Sequence, residues 1–153
     1  VLNDRKPKSD LPDNIHIEPH PSYDSDIQRF HDNAKLIVQF CIHHKVECVF
    51  IEDYAMGARG RVFNIGENGG ILKHMLFQKG IPFTTTPPTV IKKFATGKGN
   101  AKKDAMWDRF VLDTGRSELH ELLIGKAKLD SPVTDIVDAW YIVKHGKSLL
   151  ETA

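Results

Sequence analysis

Asp135 and Asp138 stand three residues apart in the run Asp135-Ile136-Val137-Asp138-Ala139-Trp140. On a helix this spacing puts two side chains on one face, about 5–6 Å apart. Two carboxylates that close resist shared ionisation unless a cation joins them. The pair therefore points to a divalent metal and, through it, to hydrolytic chemistry. Ala139 and Ile142 continue the same helical stripe, which predicts that the acids face inward along the edge of a core. A plainer account covers part of this: Asp is common in the first turn of a helix, where free N–H groups and the macrodipole favour negative charge. Asp135 fits that account, whereas Asp138 lies deeper than a cap reaches.

Glu52 is the next acid of interest. It closes Cys48-Val49-Phe50-Ile51-Glu52, an apolar run too short for a helix and typical of a central strand buried on both faces. Functional groups of α/β proteins sit at the ends of such strands, although an ordinary strand-to-loop transition would also place a Glu there. His16, Glu18 and His20 share one face of a short strand expected over Asn14–Glu18; they could ligate a metal or simply line an exposed strand face.

The basic residues are segregated. Between Gly57 and Lys103 lie Arg59, Arg61, Lys73, Lys79, Lys92, Lys93, Lys98, Lys102 and Lys103 against one acid, Glu67. That segment carries +8 in a chain whose total is +1, so the remainder carries −7. Segregation of this kind suggests a face for a polyanion, with nucleic acid the natural partner; a solvated surface of unrelated helices and loops is the alternative.

The elements that must position these groups alternate between strand and helix. Ser25-Asp26-Ile27-Gln28 is a capping box opening an amphipathic helix that carries Ile27, Phe30, Ala34, Ile37, Val38, Cys41 and Ile42. Residues 57–70, rich in Gly, Arg and Asn, read as a loop, and a helix is expected over Ile71–Lys79. A strand over Pro82–Thr86 follows, then a short helix from Thr89 to near Gly97. The loop Gly97-Lys98-Gly99-Asn100 lacks the spacing of a Walker loop. Further helices are expected over Ala101–Asp113, Ser117–Ile124 and the segment bearing Asp135 and Asp138. This order defines an α/β domain, and 153 residues suit a single domain with one core. No apolar stretch approaches a membrane span and no signal peptide opens the chain, so a soluble, intracellular, cytoplasmic protein is expected, with no membrane partner. Cys41 and Cys48 read as reduced thiols, in a helix and a strand.

Three motifs taken together resemble the RuvC-type Holliday junction resolvases, in their compact phage-type form. They are Ile51-Glu52 ending a strand, Pro88-Thr89-Val90-Ile91-Lys92-Lys93 with Thr96-Gly97-Lys98-Gly99-Asn100-Ala101-Lys102-Lys103, and Asp135-x-x-Asp138-Ala139. The likeness runs from about Ile15 to His145, in the family's order and at nearly its spacing. It implies a ribonuclease H-like fold, a mixed sheet flanked by helices. It also implies a homodimer that cuts four-way DNA junctions with two Mg²⁺ or Mn²⁺ ions. By the same matching, Glu52, Asp135 and Asp138 are metal ligands, while Lys103 and either Lys92 or Lys93 lie near the scissile phosphate. Tyr54 falls one position away from the family's base-contacting aromatic. Arg59, Arg61, Lys98 and Lys102 join the expected DNA-binding set through the basic segment.

One departure bears on activity. The family's first catalytic acid lies on a first strand roughly sixty residues before the Glu, and counting back from Glu52 passes Val1. Asp4, Asp10 and Asp13 lack the flanking apolar run of a strand. The expectation is therefore a single nuclease domain over residues 1–153 whose family-type first strand is missing from the chain as given. Three functions follow: a Mg²⁺-dependent crossover junction endodeoxyribonuclease of phage-infected, bacterial or organellar origin; a catalytically inactive nucleic-acid-binding module of the same fold; or another ribonuclease H-like nuclease.

Overall fold

The first described helix begins where its capping box predicts. In the computed structural model, which describes residues 22–54, 62–125 and 127–152, α1 spans Asp26–His43 and the Ser25 hydroxyl accepts the Gln28 N–H at 3.2 Å. That bond satisfies one of the free N–H groups of the first turn. Phe30, Ala34, Val38 and Cys41 form its buried stripe. The expected strand over Asn14–Glu18, with His16, Glu18 and His20, lies outside the described residues.

Two compact units follow from the contacts within the chain. The first, Ser22–Pro88, contains α1, β1 (Val49–Glu52), α2 (Val62–Gln78) and β2 (Phe83–Thr86). The strands pair in parallel, with Val49 opposite Phe83 and Glu52 opposite Thr86. A parallel pair cannot close through a hairpin, and α2 is the crossover connection. α1 packs against α2, and Val38, Cys41 and Leu76 form a core against which Val49, Ile51, Leu72, Met75 and Phe83 pack. Leu76 is wholly buried, worth about 1.5–3 kcal/mol of transfer free energy.

A mixed sheet with a central strand buried on both faces was expected; among the described residues the sheet is a single parallel pair, and Val49, Phe50 and Ile51 are half-buried. Among the described residues β1 has one hydrogen-bonded neighbour, β2. The helix expected from Ile71 starts at Val62 instead, through Gly66, Gly69 and Gly70. Glycine penalises a helix by about 0.5–1 kcal/mol per residue, but at Gly69 the missing side chain serves packing. A Cβ at Gly69 would lie 2.7 Å from the Tyr54 hydroxyl, which donates to the Gly66 carbonyl at 3.2 Å. Tertiary contact outweighs local propensity.

The second unit runs from Thr89 and is helical: α3 (Pro88–Thr96), α4 (Lys103–Thr114), α5 (Glu118–Leu123) and α6 (Val133–Glu151). α4 and α5 both pack on α6. Phe110, Leu119, Val133, Tyr141 and Ile91 are almost wholly buried, with Trp107 stacked on Phe110 at 5.7 Å and Trp140 meeting Phe110 edge-on at 6.0 Å. α4 stops at Gly115, whose φ of 71° is a left-handed cap that glycine adopts without strain. Cys41 and Cys48 are free thiols, Cys48 just ahead of β1 rather than within it, and burial pushes the Cys41 thiol up. Among the described residues no helix is long and apolar enough to cross a membrane.

Candidate active site

α6 carries the acidic pair, but its core stripe is made by other residues. Val133, Val137 and Tyr141, at successive i, i+4 positions, face inward with Thr134, Ile142 and Gly146. Asp138 sits half-buried at the rim of that stripe, and Asp135 and Ala139 are exposed. The expectation that both acids point inward is thus corrected: the branched and aromatic side chains occupy the core, because they gain more from burial than a carboxylate, which loses hydration. The loop before α6, with a cis Ser131–Pro132 peptide, supplies the Ser131 hydroxyl, which donates to Asp135 at 2.5 Å.

Asp138 opens onto a cavity of about 460 Å³. α3 contributes Lys92 to its wall. The loop into α4 contributes Asn100, Ala101 and Lys102, and α4 adds Lys103, Met106 and Trp107. A carboxylate, three ammonium groups and an apolar floor thus share one concavity. Burial raises the Asp138 carboxyl above its usual range, with repulsion from Asp135 adding to it, while Lys92 and Lys103 pull the other way. Partial desolvation penalises the charged form, and a nearby cation offsets that penalty.

Lys103 has a partner that the sequence did not reveal. Its ammonium donates to Asp130 at 2.8 Å, and both side chains are largely exposed, at 61% and 71%. That hydrogen bond, with the nearby charges of Asp130, Asp135 and Asp138, holds the Lys103 ammonium above its ordinary range. Asp130 is held below the usual carboxylate range, first by Lys103 and then by the Ser131 N–H. Lys93 and Lys98 are exposed, and the Thr96 hydroxyl links the Lys92 carbonyl to the Lys98 backbone at 2.8 and 3.2 Å.

Glu52 and Tyr54 belong to the first unit. Glu52 ends β1, exposed, opposite Thr86. Tyr54 lies against α2, where the Lys73 ammonium sits 4.7 Å above its ring and donates to its hydroxyl at 3.4 Å. Arg59 and Arg61 lie outside the described residues. Among the described residues no group of three or more His, Cys, Asp or Glu side chains is gathered to hold a metal. Asp135 and Asp138 nonetheless suit Mg²⁺, which takes oxygen donors, binds through one or two carboxylates and keeps several waters.

The parallel pair joined by α2, followed by helices that carry lysines and then the acidic pair, is an α/β arrangement, and its fold is RuvC-like. The particular likeness is to a solved structure, Thermus thermophilus RuvC. The match has a TM-score of 0.55 at 15% identity, covering 85% of this chain and 76% of that one. No protein-family model matches the chain, and no curated protein matches it.

Proposed function

We propose that this protein is a divalent-metal-dependent endonuclease that resolves branched DNA, four-way junctions foremost, acting as a homodimer. The observation that carries the reading is the cavity in which Asp138 faces Lys92, Lys102 and Lys103. Phosphodiester hydrolysis needs hard oxygen donors for a cation beside positive charge for the phosphate, and this cavity presents both on a RuvC-like fold. Asp135 and Asp138 would hold Mg²⁺ or Mn²⁺, and the metal would supply a polarised phosphate and an activated water; Glu52 is a candidate ligand by the family resemblance alone. Lys103 would neutralise charge on the scissile phosphate. Lys92, Lys93, Lys98 and Lys102, with Arg59, Arg61 and Tyr54, would grip the flanking strands.

The test uses a synthetic four-way junction with Mg²⁺ or Mn²⁺. The expected result is paired nicks at symmetric positions, lost in Asp138→Asn while binding persists. Equal nicking by that variant removes the proposal.

A second reading is a nucleic-acid-binding module of the same fold without cleavage, in which Lys92, Lys102 and Lys103 around the cavity meet phosphates. It is distinguished by salt-sensitive junction binding that no divalent metal converts into nicking.

A further inference from the structure

A second cavity, of about 520 Å³, adjoins α3 and is lined by Thr89, Val90, Lys93, Phe94, Gly99 and His145. Consecutive residues of a helix point about 100° apart, so α3 offers Lys92 to the acidic cavity and Lys93 to this one. The same connecting loop borders both, with Asn100 on one and Gly99 on the other. Gly99 closes its wall by near contact of backbone with backbone: a Cβ there would stand 3.1 Å from the Thr89 carbonyl.

What this cavity offers is one cation, one hydroxyl and two aromatic rings. Phe94, 40% exposed, and His145 meet edge to face, with centroids 5.2 Å apart and planes at 77°. In such a pair the ring that offers its edge keeps both of its faces clear of its partner. Exposed aromatic faces beside a lysine are what unpaired nucleotides bind to, the base stacking on a ring and the phosphate meeting the ammonium. A duplex keeps its bases stacked on one another, so the ligand must be a nucleotide that has left the stack, as at a branch point or in a single strand.

We propose that this cavity is a subsite for one unpaired nucleotide of a DNA strand, its base on the Phe94–His145 pair and its phosphate on Lys93. The proposal rests on the nucleic-acid half of the function argued above and not on cleavage. Thr89 lends its hydroxyl to the polar edge of the nucleotide.

The experiment is fluorescence anisotropy in EDTA with two probes: a labelled single-stranded oligothymidylate, and a strand of equal length whose sugars carry no bases. Phe94→Leu keeps the apolar bulk and removes the flat face; Phe94→Ala removes both. Far-UV circular dichroism and thermal melting confirm that each variant is folded. The expected result is that both variants bind the oligothymidylate about fivefold or more weakly than wild type and the base-free strand equally well. Lys93→Met weakens both strands alike. Phe77→Ala, which removes a 77% exposed ring on α2, changes neither. Phe94→Leu binding the oligothymidylate as wild type does, or losing as much affinity for the base-free strand, overturns the subsite. Wild-type protein that binds the oligothymidylate in this base-dependent way yet never nicks a junction keeps the subsite and removes the nuclease; the converse pattern, nicking without base dependence, removes the subsite alone.

Discussion

The meaning of Lys103 depends on Asp130. An exposed ion pair adds little to stability, so the 2.8 Å contact between them matters through what it does to the lysine. A carboxylate at hydrogen-bond distance competes for the ammonium with any incoming phosphate. Asp130→Asn should therefore leave the melting temperature unchanged and tighten metal-free DNA binding a few-fold, and that gain should vanish in a Lys103→Met background. A double-mutant cycle measured by anisotropy reads the coupling directly, and additive effects of the two substitutions would show that Asp130 acts independently of Lys103. Asp138 stood out in the sequence because it lies deeper in the helix than a cap reaches, and the structure opens it onto a cavity. Asp130 was not legible: an acid in a polar linker is unremarkable until folding brings it to a lysine 27 residues away.

α4 and α6 are joined by a carboxylate that plays no part in the chemistry proposed above. Asp113 on α4, with 12% of its side chain exposed, receives hydrogen bonds from Tyr141 at 3.0 Å and Lys144 at 3.1 Å on α6, and pairs with Arg109 at 2.8 Å. Burial opposes its ionisation, but the bonds from Lys144, Tyr141 and Arg109 outweigh it and hold the carboxyl below the usual range. Burial and the same carboxylate push the Tyr141 hydroxyl upward. A carboxyl depressed in the folded state contributes stability above its unfolded value, about pH 3.9, and loses it as pH falls through the folded value. Asp113→Asn should cost about 2 kcal/mol near neutrality, in the range of hydrogen bonds to a charged group. The gap between variant and wild type in urea denaturation should close as pH drops below about 4; a gap that stays constant to lower pH would mean that the charge of Asp113 is not what joins the helices. At this scale the sequence was informative where signals were local. The Ser25 cap, the short apolar strand and the break at Gly97 each act within a few residues. The start of α2 was hidden because Gly69 answers to Tyr54, which precedes the helix and packs on its face.

Across the molecule, a net charge of +1 says little about partners, whereas the distribution of charge does. Lys92, Lys93, Lys98, Lys102 and Lys103 fall within twelve residues that the structure arranges as α3, a turn and the start of α4, a segment that borders the two cavities described above. Lys73, counted in the same basic segment of the sequence, is instead engaged with Tyr54 in the first unit. Composition located the basic stretch, and the fold separated the lysines available to phosphate from one that supports packing. If the five lysines of the second unit each meet a phosphate, the logarithm of affinity for duplex DNA should fall with the logarithm of salt at a slope of about −4.5. Raising monovalent salt from about 50 to 200 mM would then weaken binding roughly 500-fold. Replacing Lys98 by Met should flatten the slope by about 0.9, and Lys73→Met should leave it unchanged while lowering stability. A slope near −1 would mean that the lysines are a solvated face and that the segregated charge has some other purpose. Asp130 sharpens the expectation further: because it neutralises Lys103 in the free protein, Asp130→Asn should raise affinity most at low salt, where counterion release contributes most.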